Sequence, residues 1–295
     1  MRPLLAVVVA ACVALVATGA ALQSVGARSA VDVDAYNGLG TWIDIFDGKA
    51  YTAPETVAAA MAAHGVRTAF VETANFKQPV DIVRPAQLGQ LVEALHGHGI
   101  YAVAWYLPGF QKPAVDLRRT LAAVGFRTAG GQGFDGFALD IESDVVKNAR
   151  VRTQRLLGLS RKLREAVGPD YALGAIITSP RAMELRPTYW PGFPYAELAG
   201  LYDVFLPMAY FTYRVKGPDA VYGYAARSLA ILRAETGNPE VTVHLIGGTA
   251  SRTTAVEAKA FGQLVVDDER LAGWSLYDWF TTRAALWQSL AVAGG

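Results

Sequence analysis

From about residue 36 onward the chain keeps one rhythm: a short apolar run ending in polar or aromatic residues, then a segment punctuated like a helix. The apolar runs fall at 40–46, 66–72, 100–107, 136–142, 171–178, 204–210, 241–246 and 273–279, which makes eight. Between them, Pro54-Glu55 opens a helical segment that Gly65 closes, and Pro85 opens one that Gly99 closes. The stretch 148–167 is long, basic and amphipathic and stops at Gly168-Pro169; Pro218-Asp219 opens another that ends at Gly237. Proline at the start and glycine at the stop is the usual asymmetry of helix ends. Eight strand–helix units over residues 36–295 predict the α/β class and a single (β/α)8 TIM barrel. A doubly wound open sheet is the competing topology, but no dinucleotide glycine fingerprint follows the first run. No compositional break marks a second domain. The stretch 181–196, with Pro187, Pro191 and Pro194, is expected to be a long loop after the fifth strand that shapes a cleft.

The first thirty residues stand apart. Met1-Arg2 is a short positive start, 4–22 is an almost unbroken Ala/Val/Leu run, and 23–30 is small and polar. Residues 1–30 therefore read as a signal peptide, cleaved after Ala20 or Ala27, or as an N-terminal membrane anchor, since the run is about as long as a bilayer span requires. Either way the barrel is expected outside the cytoplasm, secreted or held at the membrane by this segment. The only cysteine, Cys12, lies inside the run, which leaves the mature chain without disulfide or thiol chemistry. The net charge is +1, with no basic block, so there is no electrostatic case for nucleic acid. A monomer is expected.

In such a barrel the active site is built at the C-terminal ends of the strands. Those ends carry Asp44 and Asp47, Glu72 and Asn75, Trp105 and Tyr106, Asp140 and Glu142, Thr178 and Arg181, Met208 and Tyr210, Gly247 and Gly248, and Tyr277, Asp278 and Trp279. The set is rich in acids and aromatics and poor in lysine and histidine. Aromatic faces stack on the apolar faces of pyranose rings and carboxylates bond hydroxyls, so a polysaccharide or oligosaccharide is the expected partner. The fourth run is the most telling. In Asp135-Gly136-Phe137-Ala138-Leu139-Asp140-Ile141-Glu142, apolar and acidic residues alternate with a period of two. Phe137, Leu139 and Ile141 share one face; Ala138, Asp140 and Glu142 share the other. Two acids side by side on an otherwise apolar strand raise each other's pKa, and either a strand-end cap or catalysis accounts for them.

Asp135-x-x-Ala138-x-Asp140-x-Glu142 resembles the D-x-x-D-x-D-x-E signature of family 18 glycoside hydrolases, the chitinase-like barrels. Met208-Ala209-Tyr210 is similar to that family's M-x-Y, and Gly273-Trp274-Ser275-Leu276-Tyr277 to its strand-eight segment. The resemblance implies roles. Glu142 would be the general acid, and Asp140 would orient a substrate acetamido group whose carbonyl attacks the anomeric carbon. Tyr210 would hydrogen-bond that group, and Tyr277 would lie under the ring. Asp44, Glu72, Trp105, Tyr106, Met208, Asp278 and Trp279 complete the expected substrate-binding set. The departure is Ala138, where the family has an acid beneath the pair. Two readings follow: the enzyme works with Asp44 supplying the missing charge, or the barrel binds a glycan without cleaving it, as a lectin-like protein. A glycosidase of another family, with a two-carboxylate mechanism, is a further alternative.

Other signals carry less. Gly130-Gly131-Gln132-Gly133 precedes a strand and reads as a turn, and Gly247-Gly248-Thr249 offers a phosphate loop after strand seven that the export signal argues against. His64, His96 and His98 fall near helix C-termini, where the helix dipole favours a cation, and the fourth histidine is His244. No histidine spacing argues for zinc, Asp44 and Asp47 are too few for a metal, and G-x-S-x-G does not occur, so neither metal nor cofactor is expected.

Overall fold

The computed structural model describes residues 31–291. All eight apolar runs become strands: β1 (Gly38–Ile43), β2 (Thr68–Asn75), β3 (Tyr101–Leu107), β4 (Gly136–Ile141), β5 (Leu173–Thr178), β6 (Val204–Met208), β7 (Val243–Thr249) and β8 (Leu271–Tyr277). Every strand pairs in parallel with its sequence neighbours, and β8 pairs with β1, so the sheet closes into a barrel in chain order. Among the described residues ten α-helices accompany the strands: α1 (Gly48–Thr52), α2 (Pro54–Ala63), α3 (Pro85–Gly97), α4 (Pro113–Val124), α5 (Ala149–Val167), α6 (Pro180–Leu185), α7 (Tyr195–Ala199), α8 (Pro218–Thr236), α9 (Ala255–Asp267) and α10 (Ala284–Ala291). Proline occupies the first turn of α2, α3, α4, α6 and α8. There its missing N–H costs nothing. The stretch after β5 is not one long loop: α6 and α7 interrupt it, because Ser179 caps Pro180–Leu185 by accepting from Ala182 N at 3.2 Å.

The period-two alternation sorts each strand between two cores. Phe137, Leu139 and Ile141 pack outward against the helices, whereas Ala138 packs in the barrel interior with Phe70, Val103, Trp105 and Leu206. Strand tilt stacks the interior side chains in layers drawn from alternate strands. Phe70, Ala138 and Leu206, with Ser275, come from the even strands; above them lie Trp42, Trp105, Ile176 and Ile246 from the odd strands. The next even-strand layer, Glu72, Asp140, Met208 and Tyr277, forms the top and opens to solvent.

Tyr36, in the short helix Asp34–Tyr36, closes the other end. Its ring is fully buried, and its hydroxyl donates to Phe137 O at 2.9 Å and to Ala172 O at 3.3 Å. Lower in the barrel His244 Nδ1 lies 2.8 Å from Tyr36 O, and its Nε2 lies 3.0 Å from Ser275 Oγ. A carbonyl can only accept, so Nδ1 carries the proton and Nε2 accepts from the serine, which in turn accepts from Trp42 Nε1 at 2.8 Å. Burial pushes the His244 pKa down to about 4, so the ring stays neutral.

Candidate active site

At the C-terminal ends of the strands lies a cleft of about 390 Å³. Trp105 and Met208 form its apolar floor, each nearly buried. Asp140, the penultimate residue of β4, and Glu142, the first residue after it, project into the cleft from the same face. Asp140 is 6% exposed and its Oδ1 has no hydrogen-bond partner. Burial, then the charges of Glu142 and Glu72, holds its carboxyl well above the usual carboxylate range. Burial also pushes Glu142 up. Among the described residues no arginine or lysine pairs with either acid. Glu142 is fixed through its backbone carbonyl, which accepts from the hydroxyl of Tyr189 in the segment between α6 and α7.

The opposite wall is also acidic. Glu72 is 3% exposed; its Oε2 accepts from Ile45 N and its Oε1 from Asn75 Nδ2, both at 3.0 Å. Burial outweighs these bonds and pushes its pKa up to about 6. Asp44 ends β1 in a turn: its Oδ1 accepts from Phe46 N at 2.6 Å and Asp47 N at 3.1 Å, and its Oδ2 accepts from the Tyr277 hydroxyl at 3.2 Å. Tyr210 faces Tyr277 across 6.3 Å between ring centres. Burial and the nearby carboxylates, Glu142 first, raise the Tyr210 pKa, so its hydroxyl remains a donor.

The cleft thus brings together Glu142, Asp140, Tyr210, Asp44, Glu72, Trp105, Met208 and Tyr277. Three other expected residues lie elsewhere. Tyr106 follows Trp105 on β3, and successive side chains on a strand point to opposite faces. It is therefore buried under the helices, its hydroxyl donating to Asp116 Oδ1 at 2.7 Å. Trp279 leaves the strand and packs on Trp287, 5.5 Å between centres, and on His64 at 6.2 Å. Asp278 caps the following turn, accepting from Thr281 N at 3.0 Å and Thr281 Oγ1 at 2.7 Å, and lines a recess of about 230 Å³ with Asp47 and Phe280 that adjoins the cleft across Asp44 and Phe46.

Several lining residues went unread in the sequence. Phe46, Lys77, Gln78, Tyr213 and Thr249 reach the cleft from the segments after β1, β2 and β6 and from the end of β7. Lys77 puts a cation beside the acids of the cleft. Tyr213 ends the short helix Phe211–Tyr213, and Arg252 stands 5.1 Å over its ring. The supposed phosphate glycines belong to β7 itself: a Cβ on Gly248 would meet Thr212 Cγ2 at 2.5 Å and Phe211 at 2.7 Å. Glycine there permits close packing and forms no anion loop. Gly131, with φ +83°, turns the chain before β4. Among the described residues no group of three or more His, Cys, Asp or Glu could hold a metal ion. No helix among them is long and apolar enough to cross a membrane, while residues 1–30, with Cys12, lie outside the described residues. A larger groove of about 530 Å³ runs beside α6 and α8, away from the strand-end acids.

No family model matches the chain, and no curated protein matches its sequence. Solved structures do match. A GH18 chitinase from Pseudoalteromonas aurantia aligns over 87% of this chain and 99% of its own, with a TM-score of 0.59 and 12% identity. What the two chains share is the closed (β/α)8 barrel. The Bacillus cereus spore cortex-lytic enzyme SleL aligns over 86% of this chain and 73% of its own, with a TM-score of 0.64 and 8% identity. A xylanase and alpha-amylase inhibitor protein from Scadoxus multiflorus aligns over 87% and 98%, with a TM-score of 0.56 and 13% identity. At such identities the likeness is one of fold: a glycosidase-like TIM barrel.

Proposed function

We propose that the chain is a glycoside hydrolase of the chitinase-like kind, acting outside the cytoplasm on a polysaccharide that contains N-acetylated amino sugars. The observation that carries this reading is the pair on β4: Asp140 and Glu142 stand side by side in an aromatic-lined cleft, both carboxyls pushed toward the protonated form. A general acid has to hold its proton near the working pH, and burial gives Glu142 that property. In the proposed reaction the acetamido carbonyl oxygen of the substrate attacks the anomeric carbon. The glycosidic bond breaks, and the Glu142 proton goes to the departing oxygen. Water then attacks the anomeric carbon, opens the cyclic intermediate and returns a proton to Glu142. Asp140 orients the acetamido group, Tyr210 donates to its carbonyl oxygen, and Tyr277 and Trp105 present apolar faces to the ring.

The test is Glu142→Gln, which keeps the side chain's shape and removes the transferable proton. General acid catalysis contributes about 10²–10⁴-fold in rate. Release of reducing ends from N-acetylated oligomers is expected to fall by that factor while oligomer affinity holds. De-N-acetylated oligomers should resist the wild type; if they are cleaved, a protein carboxylate is the nucleophile and the substrate-assisted reading is wrong. A second reading, a barrel that binds glycan without cleaving it, draws on Ala138, which packs among Phe70, Val103 and Leu206 and puts no acid beneath the pair. Binding of oligomers without turnover by wild type decides for it.

A further inference from the structure

The chitinase-like reading of β4 leaves one acid missing beneath Asp140, while a buried carboxyl, so far counted only as a substrate contact, lines the same cleft. The layer that holds Ala138 offers no charge: its members are Phe70, Leu206 and Ser275, and the Trp42–Trp105–Ile176–Ile246 layer lies over it. Glu72 of β2 instead shares the top layer with Asp140 of β4. Between the two strands, β3 turns Trp105 into the layer beneath, Tyr106 to the outer face and Leu107 to the cleft wall. Asp44 is poorly placed for the task, since its oxygens are directed to Phe46 N, Asp47 N and the Tyr277 hydroxyl. Glu72 is held rigidly by Ile45 N and Asn75 Nδ2, which leaves its charge fixed at the cleft wall. Burying a carboxylate is costly, and these two bonds offset only part of that cost.

We propose that Glu72 is a positioning residue of this site: from the side of the barrel it supplies the carboxyl that the layer below lacks, and through Asp140 it keeps a proton on the Asp140–Glu142 pair. This rests on the hydrolase reading only for the use to which that proton is put. The other groups facing the cluster are Asp44 after β1, Tyr51 of α1, Tyr189 between α6 and α7, Tyr210 and Tyr213 after β6, and Tyr277 of β8. The nearby cations are Lys77 in the cleft and Arg84, which donates to Ile45 O at 2.9 Å. Above about pH 6 Glu72 is ionised, and its charge then raises the affinity of the neighbouring pair for its remaining proton.

The experiment titrates the pair directly in the full chain, by carbon-13 NMR of labelled Asp and Glu carboxyls, assigned with Asp140→Asn and Glu142→Gln. Glu72→Gln is expected to lower the pH at which the pair loses its last proton by about one unit, the size of a single nearby charge. An unshifted titration, whatever happens to thermal stability, overturns the proposal. If Glu72→Gln does not fold, Asn75→Ala decides. It removes a donor from the Glu72 carboxylate, keeps Glu72 protonated to higher pH, and should move the pair the same way by less; no movement again overturns the proposal. In turnover assays the alkaline limb of kcat/KM against pH should descend with Glu72→Gln while KM holds. Wild type without turnover but with a shifted pair titration sinks the hydrolase reading and supports the role of Glu72. Turnover with an unmoved limb and unmoved titration does the reverse.

Discussion

Restoring an acid at position 138 should damage this barrel. Ala138 is fully buried, and a Cβ built on Gly174 would already stand 3.0 Å from Ala138 Cβ, 2.8 Å from Leu206 and 2.9 Å from Tyr36. An aspartate there adds a carboxyl group to a fully buried layer, and overpacking of a core costs about 1–3 kcal/mol. Its carboxyl enters a layer of Phe70 and Leu206 whose one hydroxyl, Ser275, is already engaged by Trp42 and His244, which adds roughly 1–3 kcal/mol even for the neutral form. Together Ala138→Asp should destabilise by about 2–6 kcal/mol, and at roughly 2–4 °C per kcal/mol for a domain of this size Tm should drop by about 5–20 °C. The loss should deepen with pH. The introduced carboxyl has a folded pKa above its unfolded value near 4, so the unfolded state releases its proton first, and stability falls by about 1.4 kcal/mol per pH unit above that value until the folded pKa is reached. Thermal melts and urea unfolding at pH 4 and pH 8 measure both effects. An Ala138→Asp protein with unchanged Tm and raised activity would mean that the interior beneath Asp140 is open to an acid, and the case for a charge supplied from β2 would collapse.

Asp140 has a folded pKa well above its unfolded value, so it lowers stability increasingly as pH rises past the ordinary carboxylate range. Asp140→Asn should match the wild-type Tm near pH 4, exceed it at pH 8 and lose turnover; a lower Tm at pH 8 contradicts the strained-acid account. His244, held near pKa 4 against about 6.5 when unfolded, gives stability that is full above pH 6.5 and lost as pH falls toward 4, by up to about 3 kcal/mol. Denaturant titrations of His244→Gln over that window should lack this slope. Thr254 and Glu257 form a reciprocal cap at the start of α9, and Thr254→Ala should cost about 1 kcal/mol in urea unfolding, with activity untouched.

The strands and their order were legible because a fully buried parallel strand has to be apolar on both faces, and the proline and glycine punctuation marks the helices between. The β4 pair was legible because period two places Asp140 and Glu142 on one side whatever the rest of the fold does. The same rule, applied to β3, excludes Tyr106 once Trp105 faces inward; reading both as cleft residues ignored the alternation. Asp278 and Trp279 lie past the end of β8, where the strand period no longer governs direction and local capping and packing take over. Lys77, Gln78 and Tyr213 reach the cleft from turns, whose paths depend on contacts distant in sequence. Glu72 could be placed on the cleft side from its strand, but its neighbourhood with Asp140 depends on the stagger between β2 and β4, which no local pattern records.

Tyr36 gives the molecule a direction. The ring that stops the lower end of the barrel lies only a few residues beyond the end of the leader-like stretch, and the cleft opens at the opposite end. Any cut that removed the residues around Tyr36 would unstopper the barrel and open its interior to water from the end away from the cleft.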